Sequence, residues 1–306
     1  MENAAAIELR DARKHFGPIR AVDGVDLRVE RGEVFGLIGH NGAGKSTLFK
    51  MMLGLIAATG GDIRVAGAPV QGHAARAARR QIGYLPENLV LYDNLSGLET
   101  LHFFARLKKA PLDGAAALLA RVGLEAAADR PVRGYSKGMR QRLGFAQALL
   151  GAPRVLFLDE PTNGLDPAAI RDFYGMLEGL RARGVTILIT SHILAELQQR
   201  VDRLAIMVEG RIQALGSVPA LRAQIDLPLV FTLHAEAGVA EDLRVPLAGL
   251  QGAQCEASVD GASLTLRCPR AHKMAALSIV MALGRRVRDL DIREPTLEDL
   301  FFGIGR

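Results

Sequence analysis

The chain has 306 residues, 49% of them apolar and 23% charged, with 38 Lys+Arg against 33 Asp+Glu for a formal charge of +5. At roughly 150 residues per domain the length predicts two domains, or one large domain with an appendage, with ample material for a core. The charge is too small for this length to point to nucleic acid, and no run approaches the ~18 uninterrupted apolar residues of a membrane helix. The N-terminus carries Glu2 and Glu8 and no basic-then-apolar leader, so export is not expected. Cys255 and Cys268 match no common metal spacing and the seven His are scattered. No structural or copper metal site is therefore expected, and the thiols read as ordinary ones in a reducing compartment.

In chain order, Ala6–Arg10 and Gly24–Arg28 read as strands, the second ending at the turn Arg31-Gly32. Val34–Ile38 is an apolar run that stops at a Gly-rich loop, after which Leu48, Met52 and Leu55 recur at helical spacing and predict a packed helix. From about Glu87 to Leu150 the pattern is almost purely helical. Val155–Leu158 and Thr186–Ile189 are apolar throughout, as strands buried on both faces of a parallel sheet are, with a helix over Pro167–Arg183 between them. This alternation predicts an α/β domain over residues 1–218 with a helical subdomain over about 87–150. Residues 219–306 read as a small α+β domain in the order β-α-β-β-α-β, a ferredoxin-like arrangement. Its elements are strand Leu229–Ala235, helix Val239–Leu247, strands Ala253–Val259 and Ser263–Cys268, helix Ala271–Gly284 and strand Val287–Arg293.

Gly39-His40-Asn41-Gly42-Ala43-Gly44-Lys45-Ser46-Thr47 fits G-x-x-x-x-G-K-[ST] between a strand and a helix. The glycines let backbone N–H groups turn inward around phosphate oxygens. Lys45 reaches the β/γ oxygens, and the Ser46 hydroxyl suits Mg²⁺. Asp159-Glu160 emerge from the end of an apolar strand, where open α/β sheets bind ligands. Asp159 suits holding Mg²⁺ through water and Glu160 suits polarising an attacking water; the competing reading is a helix cap. Ser136 in Tyr135-Ser136-Lys137-Gly138-Met139 caps a helix whose N-terminus offers a second anion site, or is a capped helix and nothing more.

These motifs, with Gly164-Leu165-Asp166 and Thr190-Ser191-His192, resemble in residue and order the ATP-binding cassette of ABC transporters over about Ile7 to Ser217. The resemblance implies a P-loop ABC ATPase fold with a mixed sheet core, and ATP and Mg²⁺ as ligands. It also implies that Phe16 stacks on adenine, the alternative being a core aromatic. His192 contacts the γ-phosphate and holds water in line, against the usual structural role of a lone His. Ser136, Lys137, Gly138 and Asp166 act across a homodimer interface. Glu87 stands where the family commonly has Gln; a carboxylate there still ligates Mg²⁺ but adds charge beside the phosphates. Residues 88–109, with Leu89, Leu98, Leu101, Phe103, Phe104 and Leu107, are the implied docking surface for a separate permease, ordinary core packing being the alternative. The implied location is peripheral, on the cytoplasmic face of the inner membrane.

A narrower resemblance lies in GYLPEN (Gly83–Asn88), Leu95–Lys108, Tyr135–Gly151 and EPTLEDLF (Glu294–Phe301). These look like the NosF family, ATPase subunits of the NosDFY system that serves copper-site maturation of nitrous oxide reductase. That likeness implies a NosY-like membrane subunit and a NosD-like periplasmic one. Drug, lipid and polysaccharide exporter ATPases remain the alternative, since related ones share the Glu after GYLP and the EPTLEDLF-type ending. A soluble ABC ATPase acting on ribosomes or DNA fits less well, because the chain shows neither a second cassette nor an inserted coiled coil.

Overall fold

A computed structural model of the chain describes residues 5–224, 227–236, 238–251, 254–257, 263–294 and 296. Of the EPTLEDLF segment, all but Glu294 and Thr296 lie outside the described residues. The chain divides into two compact units, Met1–Val218 and Pro219–Arg306.

In the first unit β1 (Ile7–Phe16) and β2 (Ile19–Val29) form a long hairpin, longer than the short apolar runs predict. Pairing shifts between Leu9 and Ala12, beside Asp11 at φ 46°, so a bulge carries the strand past a point where alternation breaks. β3 (Val34–Ile38) is buried at all five positions and leads into α1 (Lys45–Met52). The helix ends before Leu55, which is 60% exposed, so the expected third turn of packing is absent. Gly54, at φ 67° just beyond the helix, turns the chain away.

β4 (Gly60–Val65), β5 (Ala68–Pro69), α2 (His73–Arg80) and β6 (Ile82–Leu85) follow. The stretch after Glu87 is not helical: α3 (Gly97–Lys108) begins only at a capping box in which Ser96 and Glu99 bond each other's backbone N–H groups. Then come α4 (Ala115–Arg121) and α5 (Lys137–Ala148). β7 (Val155–Asp159), α6 (Pro167–Arg181), β8 (Thr186–Ser191), α7 (Leu194–Leu197), β9 (Arg203–Val208) and β10 (Arg211–Gly216) complete the unit, with α8 (Val218–Ala223) at the division.

Two sheets result. β2-β1-β4-β5 is antiparallel, and β10-β9-β3-β8-β7-β6 is parallel except for its β10 edge. The order places β8 between β3 and β7, so the loops after these three strands, with the one after β6, open at one edge of the sheet. Phe35, Leu37, Leu48, Phe49 and Phe157 are fully buried beneath that edge, with the Phe49 and Phe157 rings edge-to-face at 5.4 Å.

The second unit runs β11 (Leu229–Ala235), α9 (Val239–Ala248), β12 (Gln254–Ala257), β13 (Ser263–Cys268), α10 (Lys273–Ala282) and β14 (Val287–Arg293). Its sheet order, β12-β13-β11-β14, is antiparallel throughout, the split β-α-β pattern expected. Leu229, Phe231 and Leu233 alternate with less buried neighbours and pack with Leu264, Leu266 and Val280 in a separate core. Cys268 is free and buried in it.

Candidate nucleotide site

The loop between β3 and α1 is shaped by two glycines. A Cβ at Gly39 would sit 2.4 Å from the Met207 carbonyl oxygen and 2.9 Å from Ala43 Cβ. At Gly44, with φ 102°, it would lie 2.2 Å from the Ala21 carbonyl oxygen. Both are closer than real contacts allow, so the backbone takes a path open only to glycine. The loop wraps the Lys45 ammonium, which donates to the carbonyl oxygens of Gly39 at 2.5 Å and His40 at 3.3 Å. Ser46 is exposed at the first turn of α1 and Lys45 is buried.

Opposite the loop, Asp159 ends β7 buried, and its Oδ1 accepts from the Thr190 hydroxyl at 2.6 Å. The same hydroxyl oxygen accepts from the Glu160 N–H at 2.9 Å. Thr190 is fully buried and clamps the two acids from the adjacent strand. Glu160 takes φ 48°, a left-handed conformation that costs a non-glycine residue of order 1 kcal/mol or more. That turn aims its side chain back across the strand ends: Oε2 lies 2.8 Å from His192 Nδ1 and Oε1 lies 3.9 Å from Lys45 Nζ. The helix-cap reading of these acids fails, because α6 is capped by Asp166, whose side chain accepts from the Ala169 N–H at 2.8 Å.

Burial pushes the Lys45 ammonium down while Glu160, Asp159 and Glu87 pull it up. Burial pushes Asp159 up against the Thr190 hydrogen bond, and Glu87 adds to the rise. Tyr84, on β6 between the same acids, is raised to about 12, chiefly by burial. Glu160, Asp159 and Glu87 thus all act on the buried Lys45 ammonium, and the Lys50 ammonium acts on Asp159 as well. Among the described residues no three His, Cys, Asp or Glu side chains are grouped closely enough to hold a metal ion by themselves. The hard oxygen donors here, the Asp159 and Glu87 carboxylates and the Ser46 hydroxyl, are of the type a divalent cation takes.

Phe16 is 49% exposed at the tip of the β1–β2 hairpin, with Lys14 Nζ 4.9 Å from its ring centroid, so the core-aromatic reading fails. Ser136 caps α5 by accepting from the Met139 N–H at 3.2 Å and is exposed. Lys137 covers Gly164, and Gln141 donates to the Pro161 carbonyl at 2.9 Å, so α5 is tied to the segment that follows Glu160. Of the apolar residues near α3, Leu101 is fully buried and Leu107 is 66% exposed, with Val90 and Tyr92 exposed beside them. Thr190 stands in the motif Thr190-Ser191-His192, but nothing in the sequence assigns it a role in holding the two acids. Its only signal is a polar side chain closing the apolar run Ile187-Leu188-Ile189.

The ABC transporter family model matches residues 22–163. The chain is 37% identical over 306 residues to a daunorubicin resistance ATP-binding protein of Streptomyces coeruleorubidus, covering 97% of this chain and 94% of that one. The chain belongs to the ABC transporter ATP-binding family. It is 41% identical over 221 residues to a phospholipid-transporting ATPase of Homo sapiens, 71% of this chain and 13% of that much longer protein. A solved ATP-binding subunit of an ABC transporter superposes with TM-score 0.66 at 33% identity, covering 72% of this chain and 92% of the other. As a member of the family the cassette binds ATP, and its ATPase activity is coupled to transport.

Proposed function

We propose that this cassette is the ATP-hydrolysing motor of a transporter whose membrane subunit is a separate protein, and that it works as a homodimer. The observation that carries the reading is the convergence of Lys45, Glu160 and His192, from three separate strand ends, on one point beside the glycine loop. Residues Gly39–Thr47 and Phe16 hold the nucleotide. Ser46, Asp159 and Glu87 hold Mg²⁺, which when bound supplies positive charge beside the carboxylates. Glu160 accepts a proton from the attacking water and His192 orients it, the 2.8 Å contact fixing one relative to the other. Ser136, Lys137, Gly138 and Asp166 of a second copy cover the γ-phosphate. The two chains are then bridged by charge-assisted hydrogen bonds of roughly 1.5–3 kcal/mol each, and hydrolysis breaks the bridge.

Among the described residues no helix is long and apolar enough to cross a membrane. In this reading the motion acts on a partner, at the inner membrane's cytoplasmic face, through the surface around α3 where Val90, Tyr92 and Leu107 are exposed. The partner is a NosY-like permease with a NosD-like periplasmic subunit, and the task is NosF-like, copper-site maturation of nitrous oxide reductase. What supports this is the text of Gly83–Asn88, Leu95–Lys108 and Tyr135–Gly151, which ATP chemistry constrains less than the motifs themselves. A second reading, a drug or lipid exporter motor, is favoured by the near full-length likeness to the daunorubicin resistance protein. Deleting the gene discriminates: loss of the reductase's copper centre supports the first, and drug sensitivity with an intact reductase supports the second. ATP-dependent phosphate release, lost in Lys45→Ala, tests the motor itself.

A further inference from the structure

Phe173 and Tyr174 are adjacent on α6 and point about 100° apart, so they touch different neighbours. The Phe173 ring meets Phe145 of α5 at 4.9 Å between centroids, and its neighbour Tyr174 at 5.9 Å edge-to-face. Tyr174 faces the other way, its hydroxyl donating to Glu196 Oε1 of α7 at 3.2 Å, with the Arg200 guanidinium stacked 3.9 Å over the ring. Phe145, Phe173 and Tyr174 are buried, so the contacts have no slack to absorb a shift. Each linked element carries one part of the ATPase machinery. α5 opens at Ser136, α6 opens at Asp166, and α7 starts two residues after His192.

We infer that Tyr174 is a positioning residue for ATP hydrolysis: its hydroxyl bond to Glu196, backed by the Phe145–Phe173 contact, sets the His192 turn relative to the helices that begin at Asp166 and Ser136. The inference rests on the ATPase reading above. In that reading Ser136 serves the nucleotide of the partner while His192 serves its own, so this brace joins the two sites of a dimer through one helix. A buried tyrosine hydroxyl has to find an acceptor, and Glu196 is the one it has. Burial and the neighbouring Glu196 carboxylate both raise the Tyr174 phenol, which stays protonated as the donor.

The test is a double-mutant cycle in the full-length protein with Tyr174→Phe, Glu196→Ala and the pair, and Glu196→Gln as the conservative control. Tyr174→Phe and Glu196→Ala are each expected to lower kcat about fivefold with nucleotide Kd unchanged, and the double variant to lose no more than either single. Glu196→Gln keeps a carbonyl acceptor and is expected to retain most of the turnover. Steepness of the ATP dependence is expected to fall together with kcat. Additive losses, wild-type kcat in Tyr174→Phe, or Glu196→Gln as damaging as Glu196→Ala would each overturn the brace. A wild type without turnover sinks the ATPase reading instead, so the two failures are distinguishable.

Discussion

His192 Nδ1 and Glu160 Oε2 lie 2.8 Å apart although 32 residues separate them in the chain, because β7 and β8 are parallel neighbours whose carboxyl ends are level. Asp159 pairs with Thr190 in that register, so Glu160, one residue further, and His192, two residues further, leave the strand ends side by side. The contact is made while Glu160 also faces Lys45, so the proposed base touches the imidazole nitrogen and lies near the ammonium at once.

Glu160→Gln keeps the shape of the side chain and removes its ability to accept a proton. Nucleotide affinity is expected to stay within a few-fold of wild type, turnover to fall by 10²-fold or more, and ATP to trap a dimer. Size-exclusion chromatography with and without ATP, beside phosphate release, checks all three; a monomer in ATP contradicts the clamp.

Gly44→Ala forces a Cβ to within 2.2 Å of the Ala21 carbonyl at φ 102°. Relief requires moving either β2 or the phosphate loop, at an expected cost of about 1–3 kcal/mol of stability and loss of nucleotide binding. Gly42→Ala, at φ 84° with no atom within 4 Å, is expected to cost less. Thermal melts and nucleotide titration of the two variants give the comparison.

Thr190→Val removes the hydroxyl that bonds both Asp159 and the Glu160 N–H. Two buried polar groups lose their partner, so the variant is expected to be less stable by about 2 kcal/mol, with turnover falling further than affinity. Thr190→Ser keeps the hydroxyl and is expected to recover both; denaturant unfolding and steady-state kinetics are the readouts.

Burial raises Asp159 above its ordinary value, so the nucleotide-free fold binds a proton there more readily than the unfolded chain does. The native state therefore loses stability as pH rises from the unfolded pKa through the raised folded one, and the penalty is complete above the raised value. Asp159→Asn is expected to raise Tm at pH 7, with the gain shrinking as pH falls towards 4, and to abolish Mg²⁺-dependent hydrolysis. A melting series over pH 4–8 without nucleotide measures the trend, and a gain that grows on acidification would refute it.

Much of the architecture was legible because its causes are local. Val34–Ile38 is apolar at every position because both sheet faces are covered, and it ends where the glycines begin, so strand, loop and helix could be read in sequence. The C-terminal unit showed its alternation in Leu229, Phe231 and Leu233. Other signals misled for physical reasons. Leu55 keeps helical spacing after α1 has ended, and the apolar residues after Glu87 precede the Ser96 cap where the helix begins. β4, β5 and the β9–β10 hairpin were not read at all, since short strands such as Ala68–Pro69 are defined by their pairing partner.

The sequence by itself determined that a glycine-rich loop joins a strand to a helix and which residues build it, because Gly39–Thr47 is contiguous and each expected role follows from a residue type at a fixed spacing. Tertiary structure alone decided what those residues face. The Thr190 clamp, the left-handed turn at Glu160, the placement of Glu87 among the site charges and the Tyr174–Glu196 bond all depend on which strands and helices lie side by side. Neighbour order in a parallel sheet comes from crossover connections and shared burial, whose free energy is spread over the whole core and leaves no short pattern in the chain.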